Sequence, residues 1–203
     1  MITFPQTSPT YTARGMALGA LFASIFGTLW LINGVNALQA MVAPLLFAAI
    51  ALLSITLIAA SLRLFTTVRR LPLQERPEAL RWTNRYINVT TLLQVVISSA
   101  LTLVFLLIGW VDLIFPTIVL SVGLYLFALA PVFRLKHYYT IGSLLCLIPV
   151  ATVLLIPMII HQGQTLIYSI NGWTAVVGIA GGLVMLSNAT LNLLKIHRIL
   201  RTL

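Results

Sequence analysis

Residues 42–64 read VAPLLFAAIALLSITLIAASLRL, a run in which Arg63 is the only charged side chain. An α-helix rises about 1.5 Å per residue, so roughly 20 residues cross the hydrocarbon core of a bilayer, which is about 30 Å thick. Polar and apolar residues do not alternate along this run, as they do in the strands of membrane barrels. The stretch therefore predicts a transmembrane helix.

Five further runs of comparable length and apolarity flank it. Together the six runs predict spans at about 15–35, 42–64, 89–110, 113–133, 138–160 and 173–194. Of the 203 residues, 60% are hydrophobic and 7% are charged, whereas soluble domains carry about 25% charged residues. We therefore expect an all-α polytopic membrane protein in which residues 1–203 form one domain of six transmembrane helices.

The basic residues predict how these helices are oriented. In the six-span topology all 12 Lys and Arg fall on one side of the membrane, and the opposite loops carry Asp112 and His161 as ionisable groups. The basic residues are Arg14, Arg63, Arg69, Arg70, Arg76, Arg81, Arg85, Arg134, Lys136, Lys195, Arg198 and Arg201. Because basic loops stay in the cytoplasm, both termini are expected inside. Trp30, Trp110 and Trp173 fall at the predicted outer ends of their spans, where indole rings favour the interface.

The excess of basic residues also bears on partners. The net charge is +9 and the isoelectric point is near 10.7, values that in a soluble chain would suggest nucleic-acid binding. Here the topology accounts for the charge, so no nucleic-acid partner is expected. Anionic lipid is expected at the cytoplasmic basic residues, at about 1 kcal/mol of attraction per residue.

Ionisable residues are missing from the middle of every predicted span. Proton-coupled carriers and intramembrane hydrolases depend on such groups. The single cysteine, Cys146, lies in an apolar run, and His137, His161 and His197 map to interfaces on opposite sides. No metal site, cofactor or catalytic residue is therefore assigned, and the chain is interpreted as a protein that is not an enzyme. An enzyme with His137 as its base would lack a nucleophile and a second titratable partner.

Uncharged polar residues supply the candidate ligand site. On span three they recur at intervals of three and four, which places them on one helix face. This stripe is Asn84, Asn88, Thr91, Gln94, Ser98 and Thr102, and span six carries a comparable stripe that ends in Asn188 and Asn192. The predicted ligand-binding residues are Asn88, Gln94, Ser98, Tyr125, Asn188 and Asn192. The alternative is that these groups only hydrogen-bond between packed helices, at about 0.6 kcal/mol each.

Small residues predict where helices approach closely. Span one carries Gly15, Gly19, Ala23 and Gly27 at intervals of four, and span six carries Gly178 and Gly182. Such patterns let two helix backbones come into contact. We interpret the five glycines as helix-packing residues within the chain, and the alternative is an interface with a second copy or a partner membrane protein.

A short motif provides a resemblance. Residues 123–133 read GLYLFALAPVF, and residues 138–142 read YYTIG. Together they resemble uncharacterised small six-span bacterial membrane proteins with a G-x-H-F-x-P-L-A-x-x-F pattern followed by Y-Y-x-x-G. Tyr125 stands where that pattern has His, and Ala128 where it has Pro. The resemblance implies a bacterial cytoplasmic (inner) membrane protein and no known activity, and Tyr138 and Tyr139 are expected in the interfacial aromatic belt.

The uncharged polar residues of the spans are expected to face one another, and no ionisable residue lies in the middle of a span. Together these two features suggest a function. We expect a protein that binds or passes a neutral or amphiphilic small molecule or lipid through a cavity lined by spans three, four and six. One alternative is a structural or regulatory membrane subunit that docks a partner protein. The other is the solute-binding subunit of an importer, since such subunits of vitamin importers also have about six spans and this size.

Overall fold

The computed structural model describes residues 9–38, 43–72, 77–160 and 167–201. Within these ranges the chain is helical and contains no strand. Its helices are α1 (Pro9–Leu38), α2 (Ala43–Arg69), α3 (Pro77–Leu107), α4 (Ile114–Phe133), α5 (Lys136–Ile160) and α6 (Ile167–Leu200), and a 3-10 turn at Val111–Leu113 precedes α4. All six are long and apolar enough to cross a membrane, which confirms the all-α class and the expected number of helices that could span one. Arg76 and His161 lie outside the described residues.

Several helices begin earlier than the apolar runs suggested. Helix α1 begins at Pro9 and α3 at Pro77, in both cases with a proline, whose missing N–H and fixed φ suit the first position of a helix. The polar segment 77–88 is therefore continuous with span three. Hydropathy had located the most apolar part of each helix, whereas the helix itself continues into the polar sequence at its start.

The helices do not pack in chain order. Helices α1 and α6 form the most extensive pair, and further extensive contacts join α1 to α2, α6 to α5, α5 to α4 and α4 to α3. The resulting neighbour order is α2, α1, α6, α5, α4, α3. The last helix therefore lies between the first and the fifth, and α3 lies at an edge, where α4 is its neighbour.

Glycines form the contact between α1 and α6. A Cβ atom added at Gly182 would lie 2.8 Å from the carbonyl oxygen of Gly27, and one added at Gly34 would lie 2.6 Å from the backbone nitrogen of Ile179. Gly178 is equally close to Gly34 on the facing helix. These distances are shorter than the van der Waals contact between a Cβ atom and a backbone atom. A residue larger than glycine therefore cannot be accommodated at these positions without moving a helix.

The remaining packing glycines also lie at contacts inside the chain. Gly15 faces the ring of Phe133, and a Cβ at Gly19 would lie 3.0 Å from the hydroxyl of Tyr138. A second close approach joins α4 to α5, where a Cβ on either Gly123 or Gly142 would come within 2.9 Å of the other residue's carbonyl oxygen. The latter two glycines belong to the motif that carries the resemblance, where the sequence had assigned them no packing role.

Two expectations about boundary residues are wrong. Trp30 is 4% exposed and packs edge-on against Phe115 in the core, because Gly181 leaves room for its indole ring. Tyr138 is 2% exposed, since its hydroxyl has a buried partner on α6. At the start of α4, Asp112 does not act as a cap, since the helix begins after Leu113 with no side-chain cap.

Candidate functional site

One end of the bundle collects the basic residues. The Arg14 guanidinium, near the start of α1, donates hydrogen bonds to the carbonyl oxygens of Val68, Arg69 and Leu71 at 3.3, 2.8 and 2.6 Å. These carbonyls lie at or just beyond the C-terminus of α2, where a cation is also favoured by the helix dipole. The start of α1 and the end of α2 are therefore tied together at this end, which we call the basic end.

The turn between α4 and α5 lies at the same end. Arg134 adopts a left-handed conformation with φ +53°, and its N–H is bonded to the carbonyl of Ala130. The N–H of Leu135 donates to the same carbonyl at 3.1 Å. This is a helix C-cap of the kind that glycine usually forms, at a cost of about 1 kcal/mol for another residue. The tight reversal places His137, in the first turn of α5, beside the last turns of α6.

A series of four hydrogen-bonded side chains joins α5 to α6. Lys195 Nζ lies 2.7 Å from His137 Nδ1, and His137 Nε2 lies 3.0 Å from Asn192 Oδ1. The amide nitrogen of Asn192 donates to the hydroxyl of Tyr138 at 3.3 Å. Asn192 is fully buried and Tyr138 nearly so. We call Lys195, His137, Asn192 and Tyr138 the His137 network.

The chemistry of these groups fixes the direction of donation. An ammonium group has only donors, so His137 Nδ1 must accept the bond from Lys195. The ring proton then lies on Nε2, which donates it to the Asn192 carbonyl oxygen. With Lys195 charged, His137 is neutral in this arrangement, because an imidazolium would turn a second N–H toward the ammonium. The network holds the Lys195 ammonium at a defined position.

A cleft of about 420 Å³ opens next to the network. It is bounded by the start of α1, the α4–α5 turn and the end of α6, and its lining comprises Pro9, Thr12, Met16, Phe133, Arg134, Leu135, Lys195, Arg198 and Ile199. Three of these side chains are cationic, and most of the others are apolar. A cationic rim above an apolar floor matches the two parts of an amphiphile with an anionic headgroup.

No metal centre is indicated among the described residues. They contain no group of three His, Cys, Asp or Glu side chains close enough to share an ion. In the His137 network, the Nδ1 atom of His137 is occupied by an ammonium and Nε2 by an amide. Its geometry is that of a polar anchor for Lys195 and not of a ligand set for a cation.

The residues predicted to bind a ligand fall in two separate places. Thr91 is bonded to the Tyr125 hydroxyl at 2.9 Å, and Ser98 donates to Ser121 at 2.7 Å, both between α3 and α4. Gln94 is half-buried on the same helix, and Asn88 is exposed. Their environment is the edge of the bundle.

The other two predicted residues lie on α6. Asn188 is 2% exposed and its Oδ1 atom has no hydrogen-bond partner within the described residues, whereas Asn192 belongs to the His137 network. The described part of α6 packs against α1 and α5, with smaller contacts to α2 and α4, and α3 is not among its neighbours. The two polar stripes therefore do not meet, because α4 and α5 follow between α3 and α6 in the neighbour order.

The pair of His137 and Lys195 was missed by the sequence reasoning, which gave His137 no titratable neighbour. One signal was available, since Asn192 and Lys195 are three residues apart and so share a helix face. Their partner on α5, His137, can be identified only from the order in which the helices pack. Hydropathy gives no information on that order. In comparisons with protein-family models, curated proteins and solved structures, nothing matches this chain.

Proposed function

We propose that this is a membrane protein that binds an amphiphile with an anionic headgroup in the cleft at its basic end. The observation that carries the proposal is the convergence of Arg134, Lys195 and Arg198 on one cleft whose floor is apolar. A lipid headgroup would meet the cations while its first methylene groups pack against Met16 and Phe133. The class of ligand is the amphiphile expected from the sequence, but the site is different.

The His137 network supports this proposal by positioning one of the cations. An exposed lysine loses side-chain entropy of about 1.5 to 2 kcal/mol when it is fixed on a ligand. Because His137 already holds the Lys195 ammonium at 2.7 Å, part of that cost is met before a ligand binds. The network holds Lys195, and no side chain in it is poised as a nucleophile, so the proposed activity is binding and not catalysis.

The proposed location is a bacterial cytoplasmic membrane with both termini inside. The start of α1, the end of α2, the α4–α5 turn and the end of α6 meet at the basic end. By the positive-inside rule this end faces the cytoplasm, where anionic lipids also attract basic side chains. The cleft would then open at the level of the inner-leaflet headgroups.

Native mass spectrometry of the chain, gently extracted from its own membrane, tests the binding proposal. We expect an anionic lipid to be retained, and its affinity to fall about a hundredfold or more in the double variant Lys195→Gln, Arg198→Gln, since each of the two charge-assisted contacts contributes about 1.5 kcal/mol or more. The matched control is Arg69→Gln, Arg70→Gln, which removes the same charge from exposed positions at the same end. Equal lipid retention by both variants would contradict the proposal.

A second candidate function is that of a subunit that docks a partner protein. It is favoured by Asn88, whose side chain is exposed on α3 next to the start of the predicted span. A partner helix that packs against this face of α3 could exchange hydrogen bonds with the amide. In the same mass spectra, a stoichiometric second polypeptide without bound lipid would favour this candidate over the first.

A further inference from the structure

The contact between Lys195 and His137 has room for one hydrogen. Lys195 Nζ and His137 Nδ1 lie 2.7 Å apart, which is the distance of a hydrogen bond with a single proton between two nitrogens. An ammonium at Lys195 donates to a neutral imidazole, and an imidazolium at His137 would donate to a neutral amine. When both groups are protonated, two N–H donors face each other and the contact is lost.

We infer that this pair is a proton-sensitive switch, in which one further proton opens the contact and releases the Lys195 side chain from His137. Lys195 also lines the cleft at the basic end, and its four-carbon stem is flexible. The released ammonium can therefore change its place in the cleft without a shift of α6. A free imidazole takes up a proton near pH 6.5, so mild acidification supplies the proton that the switch requires.

The other bonds of the His137 network do not depend on this proton. His137 Nε2 lies 3.0 Å from Asn192 Oδ1, and the N–H that it donates there is kept in an imidazolium. The Tyr138 ring contacts the imidazole edge-on, with 4.8 Å between the ring centroids, and its hydroxyl accepts a hydrogen bond from Asn192. The switch therefore moves Lys195 while α5 and α6 stay joined.

Neighbouring charges set the pH at which the contact opens. Helix α5 packs against α4 and α6. On α6, Arg198 acts electrostatically on Lys195, and Arg134 in the turn before α5 lines the same cleft. On α4, the Tyr125 hydroxyl is bonded to Thr91. A nearby cation disfavours the second proton and a nearby carboxylate favours it, but neither makes room for a second hydrogen between the two nitrogens.

Nitrogen-15 NMR of the full-length protein in detergent, over a series of pH values, tests the switch. At neutral pH we expect His137 to carry its proton on Nε2. As Nδ1 takes up a proton, contacts between the Lys195 methylene hydrogens and the imidazole should disappear. In Lys195→Gln, whose amide can donate to Nδ1 or accept from it, His137 should bind a proton about tenfold more tightly, which raises the midpoint by about one pH unit.

The matched control is Lys136→Gln, which removes the same charge from an exposed residue beside His137. Because exposed charges are screened, proton binding should change by less than about threefold. Equal changes in Lys195→Gln and Lys136→Gln would overturn the inference, since His137 would then respond to the surrounding charge and not to the contact.

A second measurement uses the wild-type protein alone, so it does not depend on the folding of a variant. Contacts between Lys195 and the imidazole that persist after Nδ1 is protonated would also overturn the inference. Neither measurement involves a lipid. Failure of the switch therefore leaves the proposed lipid binding open to its own test, and failure of lipid binding leaves the switch unaffected.

Discussion

Helices α3 and α6 carry similar polar stripes but lie in different surroundings. Asn188 and Asn192 of α6 are at most 2% exposed, whereas Asn88 of α3 is exposed. Helix α6 lies between α1 and α5, and α3 lies at an edge beside α4. The comparison teaches that a polar stripe shows only that a helix face can form hydrogen bonds. The position of the helix in the bundle decides whether that face becomes a buried network or part of the lipid boundary.

The largest expected difference between these helices concerns small residues. Gly182→Leu on α6 would place a side chain where a single Cβ already comes within 2.8 Å of the Gly27 carbonyl, so the two central helices must separate. We expect a loss of about 3 kcal/mol or more of unfolding free energy, at the upper end of overpacking effects. Unfolding in mixed micelles of increasing SDS content measures it.

The matched control for this substitution is Ala100→Leu. Ala100 is exposed on α3, so the added side chain extends toward lipid and the unfolding free energy should change by less than about 0.5 kcal/mol. If both variants lost stability equally, the distinction between a central α6 and a peripheral α3 would be broken.

A smaller difference is expected for the asparagines. Asn192→Leu removes the acceptor of His137 Nε2–H and the donor to Tyr138, leaving two polar groups without their partner. We expect a loss of about 1.5 to 2 kcal/mol, near the upper limit for polar pairs in membrane proteins. In the matched control, Asn88→Leu exchanges an exposed amide on α3 for an apolar side chain, and stability should be unchanged or slightly higher.

Thermal unfolding of the two purified leucine variants, side by side in one detergent, compares the asparagines. A variant at Asn88 that is as destabilised as the variant at Asn192 would indicate that the Asn88 amide has a hydrogen-bond partner within the chain. That outcome would break the contrast between a buried stripe on α6 and an exposed stripe on α3.

The all-α class and the six spans follow from sequence because they depend on local hydropathy. Each helix must satisfy its own backbone in hydrocarbon, so a run such as 42–64 has one available structure. The polar ends of α1 and α3 could be predicted only in part. Prolines 9 and 77 mark helix starts, but a proline in a polar segment is also compatible with a turn.

The candidate site could not be predicted in the same way, because its residues are distant in the chain. His137 and Lys195 are 58 positions apart, and nothing local to either residue indicates that α5 and α6 are neighbours. The wrong expectation for Trp30 has the same cause, which is that contacts between distant parts of the chain are not visible in local sequence. Its ring fits in the core because Gly181 of α6 faces it, and the pairing of α1 with α6 is a property of the assembled bundle.

The smallest expected effect concerns the hydrogen bond between Thr91 and Tyr125, which tests how the edge helix α3 is attached to α4. It joins α3 to α4 at 2.9 Å, and both residues are half-buried. Because the unfolded chain in a membrane also finds polar partners, we expect a coupling energy of about 0.6 kcal/mol from the cycle of Thr91→Val, Tyr125→Phe and the double variant.

The control for this cycle is Tyr139→Phe, since Tyr139 is exposed on α5 and lies away from α3. Combined with Thr91→Val, it should give no coupling. A coupling energy of about 2 kcal/mol between Thr91 and Tyr125 would instead match the loss expected for the buried asparagine, and α3 would then be held in the bundle as firmly as α6. A value near zero would mean that this hydrogen bond contributes nothing to the attachment of α3, which would leave the bond between Ser98 and Ser121 and apolar packing on α4 to hold this helix.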